Sequence, residues 1–103
     1  MEATFRAIAD PSRRTILDLL AEGERSVSQL LEHFDFSQPA LSKHLRILRD
    51  AGLVTARSVS RRRLYGLRAD GLRSVADWVR HYERFWTDRL DALGTVLDEE
   101  AEQ

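Results

Sequence analysis

The run from Ser37 to Gly52 constrains the fold more than any other stretch, because it predicts one helix with defined ends and two unlike sides. Ser37 can accept hydrogen bonds from the free N–H groups of the first turn, and Pro39 stands where no N–H partner is needed. Gly52 suits the left-handed position after a helix. At about 100° per residue, the apolar side consists of Ala40, Leu41, His44, Leu45, Ile47, Leu48 and Ala51.

The opposite side of this helix is polar and rich in hydrogen-bond donors. It carries Gln38, Ser42, Lys43, Arg46, Arg49 and Asp50. Glutamine can bond an adenine edge, arginine a guanine edge, and serine or lysine a base or a phosphate. The pattern therefore suits a helix that enters a DNA major groove, although a solvated amphipathic helix fits this stretch equally well when it is taken alone.

The segment before Ser37 favours the DNA interpretation. Ser26 and Gln29 have the spacing of a capping box, which opens a short helix through about Phe34. Only Asp35 and Phe36 then precede Ser37. Two helices joined by a tight turn, the second carrying donors, predict a helix-turn-helix over residues 26–51.

A hairpin is predicted over residues 53–67, directly after the Ser37–Gly52 helix, which is the candidate recognition helix. Its strands are Leu53–Arg57 and Arg63–Leu67, and its polar tip is Ser58–Arg62. A hairpin in this position is a wing, so we expect its arginines to contact phosphates or the adjacent minor groove. These are Arg61, Arg62 and Arg63. The alternative for such a run is a solvated loop that aids solubility.

Two further helices are predicted at the start of the chain. Residues 1–9 suit a short helix or arm, and Asp10-Pro11 begins a second helix that runs to about Ala21. Arg13 and Arg14 are expected on its solvated face, with a phosphate contact as the less favoured interpretation.

The last helix, over residues 70–100 with Asp70 as its cap, would be roughly 45 Å long, which exceeds the width of a small domain. Its apolar stripe is too wide for one subunit to cover, so a second copy is the simplest cover and the chain is expected to form a two-fold homodimer. The expected interface residues are Phe5, Trp78, Tyr82, Phe85, Trp86, Leu90, Leu93 and Leu97. A ligand pocket at the tryptophans is the less favoured alternative.

The charge of the chain is divided by position, although its net value is only −1. Residues 1–36 hold four arginines and seven acids, and residues 74–103 hold three arginines and eight acids. Residues 37–73 hold nine lysines and arginines against two acids, a net charge of +7. A basic middle third suits a polyanionic partner.

Length and composition exclude several classes of protein. A chain of 103 residues suits a single domain. It lacks cysteine, which excludes disulfides, thiolate metal sites and a cysteine nucleophile. No stretch is apolar enough for a membrane span or a signal peptide, so a cytoplasmic protein is expected. We find no nucleophile–base pair, metal set or phosphate-cradling glycine loop, and therefore expect no enzyme. A winged-helix module that binds protein rather than DNA is an alternative, which a neutral or acidic recognition face would have favoured.

Three motifs in this order of elements are similar to those of the ArsR family of bacterial winged-helix repressors. They are Asp10–Arg14, Ser37–Leu45 and Ala51–Val54, and the resemblance covers roughly residues 3–97. It implies a mainly α winged helix-turn-helix with a small β-hairpin, which dimerises through its first and last helices. It also implies that the protein represses transcription by binding a pseudo-palindromic double-stranded DNA operator that overlaps a promoter. When bound to DNA, the protein would lie in the bacterial nucleoid.

The chain departs from the metal-sensing members of that family. Those members carry a Cys-x-Cys pair where this chain has Ser26 and Ser28, and hydroxyls are poor ligands for soft metals. A second metal site on the last helix would find only His81 and Asp77. We therefore expect no metal and no cofactor, and any effector to be a small molecule of unknown identity. His44, on the packed side of the recognition helix, is expected to be a hydrogen-bonded structural residue.

Overall fold

A computed structural model describes residues 1–101, with side chains for residues 1–87 and Arg89. The chain divides into two compact units, residues 1–73 and the segment from Ser74 onwards. The elements of the first unit are α1 (Glu2–Ala9), α2 (Pro11–Ala21), β1 (Arg25–Ser26), α3 (Val27–Leu31), α4 (Gln38–Asp50), β2 (Val54–Val59) and β3 (Arg62–Leu67). A 3-10 turn (Ala69–Leu72) then leads into α5 (Arg73–Ala101). The mainly α fold with a small β-sheet is confirmed.

The first unit has one hydrophobic core, to which α4 contributes three buried leucines at helical spacing. These are Leu41, Leu45 and Leu48, while every residue of the predicted polar side is exposed. The rest of the core comes from α1, α2, α3 and the sheet: Ala7, Ile16, Leu17, Leu20, Leu30, Leu53, Val54 and Tyr65. Burying the leucines therefore fixes which side of α4 is displayed.

Hydrogen bonds between residues three positions apart confirm the predicted caps at Asp10, Ser26 and Ser37. The Ser37 hydroxyl accepts from the Ala40 N–H at 3.4 Å, and the Asp10 carboxylate accepts from the Arg13 N–H at 3.1 Å. Ser26 and Gln29 complete the capping box, since the Gln29 side-chain oxygen accepts from the Ser26 N–H at 2.8 Å. Gly52 has the left-handed φ of 76°.

The predicted end of α3 is wrong, because the helix stops at Leu31 rather than near Phe34. Phe34 and Phe36 both pack against the core, and their rings stack with centroids 4.6 Å apart. After Leu31 the backbone continues in turns, in which the His33 and Phe34 N–H groups donate to the Leu30 and Leu31 carbonyls. The connection from α3 to Ser37 therefore spans residues 32–36 and not two residues.

The hairpin has longer strands and a tighter turn than predicted. The antiparallel ladder runs from Val54–Leu67 to Val59–Arg62, so Ser58, Val59 and Arg62 belong to strands rather than to the tip. Ser60 and Arg61 alone form the turn, with φ of 49° and 69°. Two residues at positive φ match the right-handed twist of the strands, as in a type I′ turn.

A third strand, β1, was not predicted. Arg25 pairs with Tyr65 and Ser26 with Leu64, which gives the strand order β1-β3-β2. Two residues are too few to carry an alternating pattern, so only pairing across the fold identifies them as a strand.

The described part of the second unit, from Ser74 onwards, belongs to α5, and the 29 residues of this helix extend about 44 Å. It begins at Arg73, and the predicted cap Asp70 instead lies within the preceding 3-10 turn. Four aromatic side chains of α5 are exposed in the single chain: Trp78, Tyr82, Phe85 and Trp86. Leu90, Leu93 and Leu97 lie outside the described side chains. Among the described helices, none is long and apolar enough to cross a membrane.

Candidate nucleic-acid interface

The polar side of α4 is exposed and chemically unoccupied. Within the described part of the chain, Gln38, Ser42, Lys43 and Arg46 form no side-chain hydrogen bond or ion pair, although all are well placed at the surface. Ser37 is also exposed, but its hydroxyl oxygen already accepts from the Ala40 N–H as a helix cap. The four unoccupied side chains are free to bond an external partner.

The three wing arginines do not all project in the same direction. Arg61 occupies the turn, whereas Arg62 and Arg63 are consecutive residues of β3 and project to opposite faces of the sheet. Arg63 shares the face of Tyr65, and its guanidinium carbon lies 5.6 Å from the centre of that ring. Strand alternation thus directs Arg62 and Arg63 differently, and only Arg63 lines the groove on the Tyr65 face, although both line the second groove described below.

A groove of about 520 Å³ lies between α4 and β3. Its lining residues are Ser42, Leu45, Arg46, Arg49, Asp50, Arg63 and Tyr65. It brings Ser42 and Arg46 of the predicted recognition helix together with Arg63 of the wing, while Gln38 and Lys43 lie outside the lining. The sequence predicts Arg49 on the polar side of α4 but not in the site, although its position one turn after Arg46 is a signal for it.

A second groove, of about 360 Å³, separates the start of α3 from the wing. Its lining residues are Ser26, Val27, Ser28, Gln29, Arg61, Arg62 and Arg63. The Ser26 hydroxyl has a structural role in this groove, because it caps α3 by accepting from the Gln29 N–H at 3.3 Å.

One wing arginine, Arg57, has its charge neutralised by a carboxylate of the same chain. Its guanidinium donates to both carboxylate oxygens of Glu24, at 2.8 and 2.7 Å. The hydrogen bond from Arg57 holds the pKa of Glu24 below its usual value, and the same bond raises the pKa of Arg57. By contrast, no described carboxylate forms an ion pair with Lys43, Arg46, Arg49, Arg61, Arg62 or Arg63. The positive potential is therefore concentrated on α4 and the wing.

The prediction that Arg13 lies on the solvated face of α2 is wrong, because its side chain is partly buried and hydrogen-bonded. Its Nε donates to the Ala7 carbonyl at 2.7 Å and one Nη to the Arg6 carbonyl at 3.0 Å. The other Nη lies 3.3 Å from Nδ1 of His44, which confirms His44 as a hydrogen-bonded residue. The last carbonyls of a helix lack internal partners, so a guanidinium is well suited to cap α1.

Arg14 and Asp10 also interact at the junction of α1 and α2. Arg14, although exposed, donates to the Ile8 carbonyl at 2.7 Å and to the Ala9 carbonyl at 3.1 Å. Burial acts to raise the pKa of Asp10, but the hydrogen bond from the Arg13 N–H and the charges of Arg13 and His44 outweigh it and lower that pKa. The predicted solvated face therefore holds for Arg14 but not for Arg13, and both arginines donate to carbonyls at the end of α1.

The positions at which the resemblance would place metal ligands carry different chemistry here. Ser26 is buried in its capping box, Ser28 is exposed, and the His81 ring lies edge-on to Tyr82 at 5.2 Å. In the described part of the chain, no three His, Asp or Glu residues are grouped so that they could hold a metal ion.

Comparison with known proteins identifies the family. The model of the bacterial regulatory protein arsR family matches residues 10–56. An HTH-type transcriptional regulator of Mycobacterium tuberculosis is 35% identical over 101 residues, which cover 98% of this chain and 92% of that protein. The transcriptional repressor SdpR of Bacillus subtilis is 35% identical over 82 residues, or 80% of this chain and 91% of that protein.

A solved structure agrees with the sequence relatives. The crystal structure of an ArsR family transcriptional regulator superposes with a TM-score of 0.74 at 30% identity, and the match covers 84% of this chain and 89% of that one. The α3–α4 pair, the hairpin and these relatives together show that the chain belongs to the ArsR family and is a winged helix-turn-helix, DNA-binding regulator of transcription.

Proposed function

We propose that the protein is a homodimeric repressor that occupies a pseudo-palindromic operator and blocks the promoter it overlaps. The observation that carries this proposal is the polar side of α4, which is fully displayed and has Gln38, Ser42, Lys43 and Arg46 without partners among the described residues. It lies in the segment of net charge +7. A module that binds protein alone gains no support from such a basic face.

In this proposal α4 enters the major groove and the wing holds the flanking backbone. Gln38, Ser42, Lys43 and Arg46 contact base edges. Ser37 and the first N–H groups of α4 lie at a phosphate, since a helix N-terminus attracts anions and the Ser37 hydroxyl can still donate its proton. Arg61, Arg62 and Arg63 neutralise phosphates beside the site.

The aromatic face of α5 supports the proposed dimer. Trp78, Tyr82, Phe85 and Trp86 are 48%, 46%, 59% and 50% exposed in the single chain, a large apolar surface for a protein of this size. A second α5 would cover it. Phe5 of α1, which is half-buried, is a further residue that we propose for the dimer interface. The two α4 helices would then lie roughly 34–36 Å apart, one turn of DNA. A small-molecule effector could act by changing that separation.

A footprint on the DNA upstream of the protein's own gene, at two salt concentrations, tests the proposal. We expect two protected half-sites one helical turn apart, with protection that weakens at higher salt because phosphate contacts release counterions. Protection of a single half-site would contradict the dimer. Absence of protection at low salt would contradict the proposal that the protein binds an operator in this DNA.

A further inference from the structure

The groove between α4 and β3 has a lining rich in arginine. Its 520 Å³ lies within the range of roughly 300–1,000 Å³ that ligand sites occupy, but arginines rather than apolar side chains dominate its lining. Arg46, Arg49 and Arg63 face one carboxylate, that of Asp50, and it forms no ion pair with any of them. An apolar ligand would leave these guanidinium groups without a counter-charge.

The opposite face of the same hairpin shows the contrast. There Arg57 is held by both oxygens of Glu24, so the chain supplies its own counter-charge. On the groove side it supplies the ring of Tyr65, which lies 5.6 Å from the Arg63 guanidinium carbon and holds that side chain without neutralising it. Tyr65 is itself part of the buried core, which gives Arg63 a rigid support.

The location of the two walls of the groove indicates which kind of anion would bind there. One wall is the side of α4 that is proposed to enter the major groove, and the other is the wing. Ser42, Arg46 and Arg49 follow each other along α4 at spacings of four and three residues, so they form one line at the edge of that side. The nucleic-acid component that borders a major groove is the sugar–phosphate backbone.

We propose that this groove seats a phosphodiester of the operator strand that passes between α4 and the wing, with Arg49 and Arg63 as its ligands. The inference rests on the proposed function and deepens it. Arg49 thereby becomes a phosphate-binding residue rather than a base-reading one. Arg62, on the other face of β3, contacts a different phosphate.

The first test measures affinity for the footprinted DNA across a salt series, using the full chain and the variants Arg49→Gln, Arg63→Gln and their double. Each single variant should lose roughly tenfold in affinity for specific and unrelated DNA alike, the lower end of a charge-assisted hydrogen bond. The double variant should lose less than the product of the two and lower the salt slope by about 0.9, the value for one phosphate. Arg62→Gln is the matched control, and its effect should multiply fully with that of Arg49→Gln.

The second test replaces each operator phosphate in turn by an uncharged methylphosphonate. One position should weaken binding by the wild-type chain and by Arg62→Gln, and have no further effect on the Arg49→Gln/Arg63→Gln double. Thermal unfolding of each variant confirms that the exposed substitutions leave the fold intact.

Two outcomes would overturn the inference. If the wild type binds DNA but the effects of Arg49→Gln and Arg63→Gln multiply fully, or no phosphate position is shared by them, the groove does not hold a common phosphodiester. If the wild type binds no DNA at either salt concentration, the proposed function fails first and the inference fails with it.

Discussion

At the scale of single residues, Arg46 carries the sharpest expectation for base recognition. It lies in the middle of the exposed side of α4 and has no described partner. If it bonds a guanine edge, Arg46→Ala should weaken operator binding by about 1–3 kcal/mol and relax the preference at one base pair. Binding to a panel of operators with single base changes measures both effects. Arg68→Ala removes one exposed arginine outside the site and serves as control; equal effects of the two variants would remove Arg46 from the base-reading set.

Arg13 should matter to stability rather than to recognition. Its guanidinium joins the end of α1 to His44 on α4, with bonds of 2.7, 3.0 and 3.3 Å. Arg13→Ala leaves those acceptors without a donor, so the free energy of unfolding should fall by about 1–3 kcal/mol. Urea unfolding measures the loss. Arg14→Ala removes bonds that reach α1 alone and should cost less; an equal or larger loss would show that the link to α4 contributes nothing.

The ion pair between Glu24 and Arg57 makes a pH-dependent contribution. Because Arg57 lowers the pKa of Glu24 in the folded state, the contribution is fully present above the ordinary glutamate pKa of about 4.3 and is lost as the pH falls through the lowered value. Glu24→Gln should therefore have a lower Tm than the wild type near neutral pH, and the difference should vanish in acid. A Tm difference that is the same at every pH would assign the effect to something other than the charge.

At the scale of elements, the wing turn combines strain with function. Arg61 adopts a φ of 69°, which costs a residue with a side chain roughly 1–2 kcal/mol and glycine little. Arg61→Gly should thus be about 1 kcal/mol more stable to unfolding than Arg61→Gln. Both variants remove the same charge, so both should lose the same DNA affinity. Equal stability of the two would mean that the turn stores no strain at Arg61.

The 3-10 turn before α5 depends on Gly71. A Cβ at this position would meet the carbonyl oxygen of Gly52, and would lie 2.9 Å from the Gly52 carbonyl carbon and from Cδ2 of Leu53. Since the obstacle is backbone, Gly71→Ala should destabilise the first unit by about 1–3 kcal/mol. Gly66→Ala, whose Cβ would meet the Thr55 hydroxyl at 3.3 Å, should cost less. Chemical denaturation of both variants ranks them, and the reverse order would contradict the close approach at Gly71.

At the scale of the whole molecule, the aromatic face of α5 should hold two subunits together. Trp86 is 50% exposed in the single chain, and burying its ring against a second copy would be among the larger apolar gains. Trp86→Ala should shift the sedimentation equilibrium towards monomer and weaken operator binding with it. His81→Ala, also exposed on α5, is the control. A dimer that survives Trp86→Ala unchanged would place the interface elsewhere.

The parts of the fold that the sequence predicts best are those whose causes are local. Ser37 with Ala40, Asp10 with Arg13 and Ser26 with Gln29 interact over three residues, so their caps are visible in the order of residues. The parts that it misses depend on distant partners. β1 exists because Arg25 pairs with Tyr65, and Phe34 and Phe36, which follow the end of α3, pack against a core formed by several elements.

The sequence alone determined that a basic helix with one polar side would be displayed, because a 3.6-residue period requires the leucines Leu41, Leu45 and Leu48 to be buried together. Only the tertiary structure decided which arginines act together. Strand alternation turns Arg62 away from Arg63, and packing of the sheet brings Arg63 to the groove that Arg46 and Arg49 line from α4. A helical period places residues on one side of one element, whereas a site formed by two elements depends on the register and packing that join them.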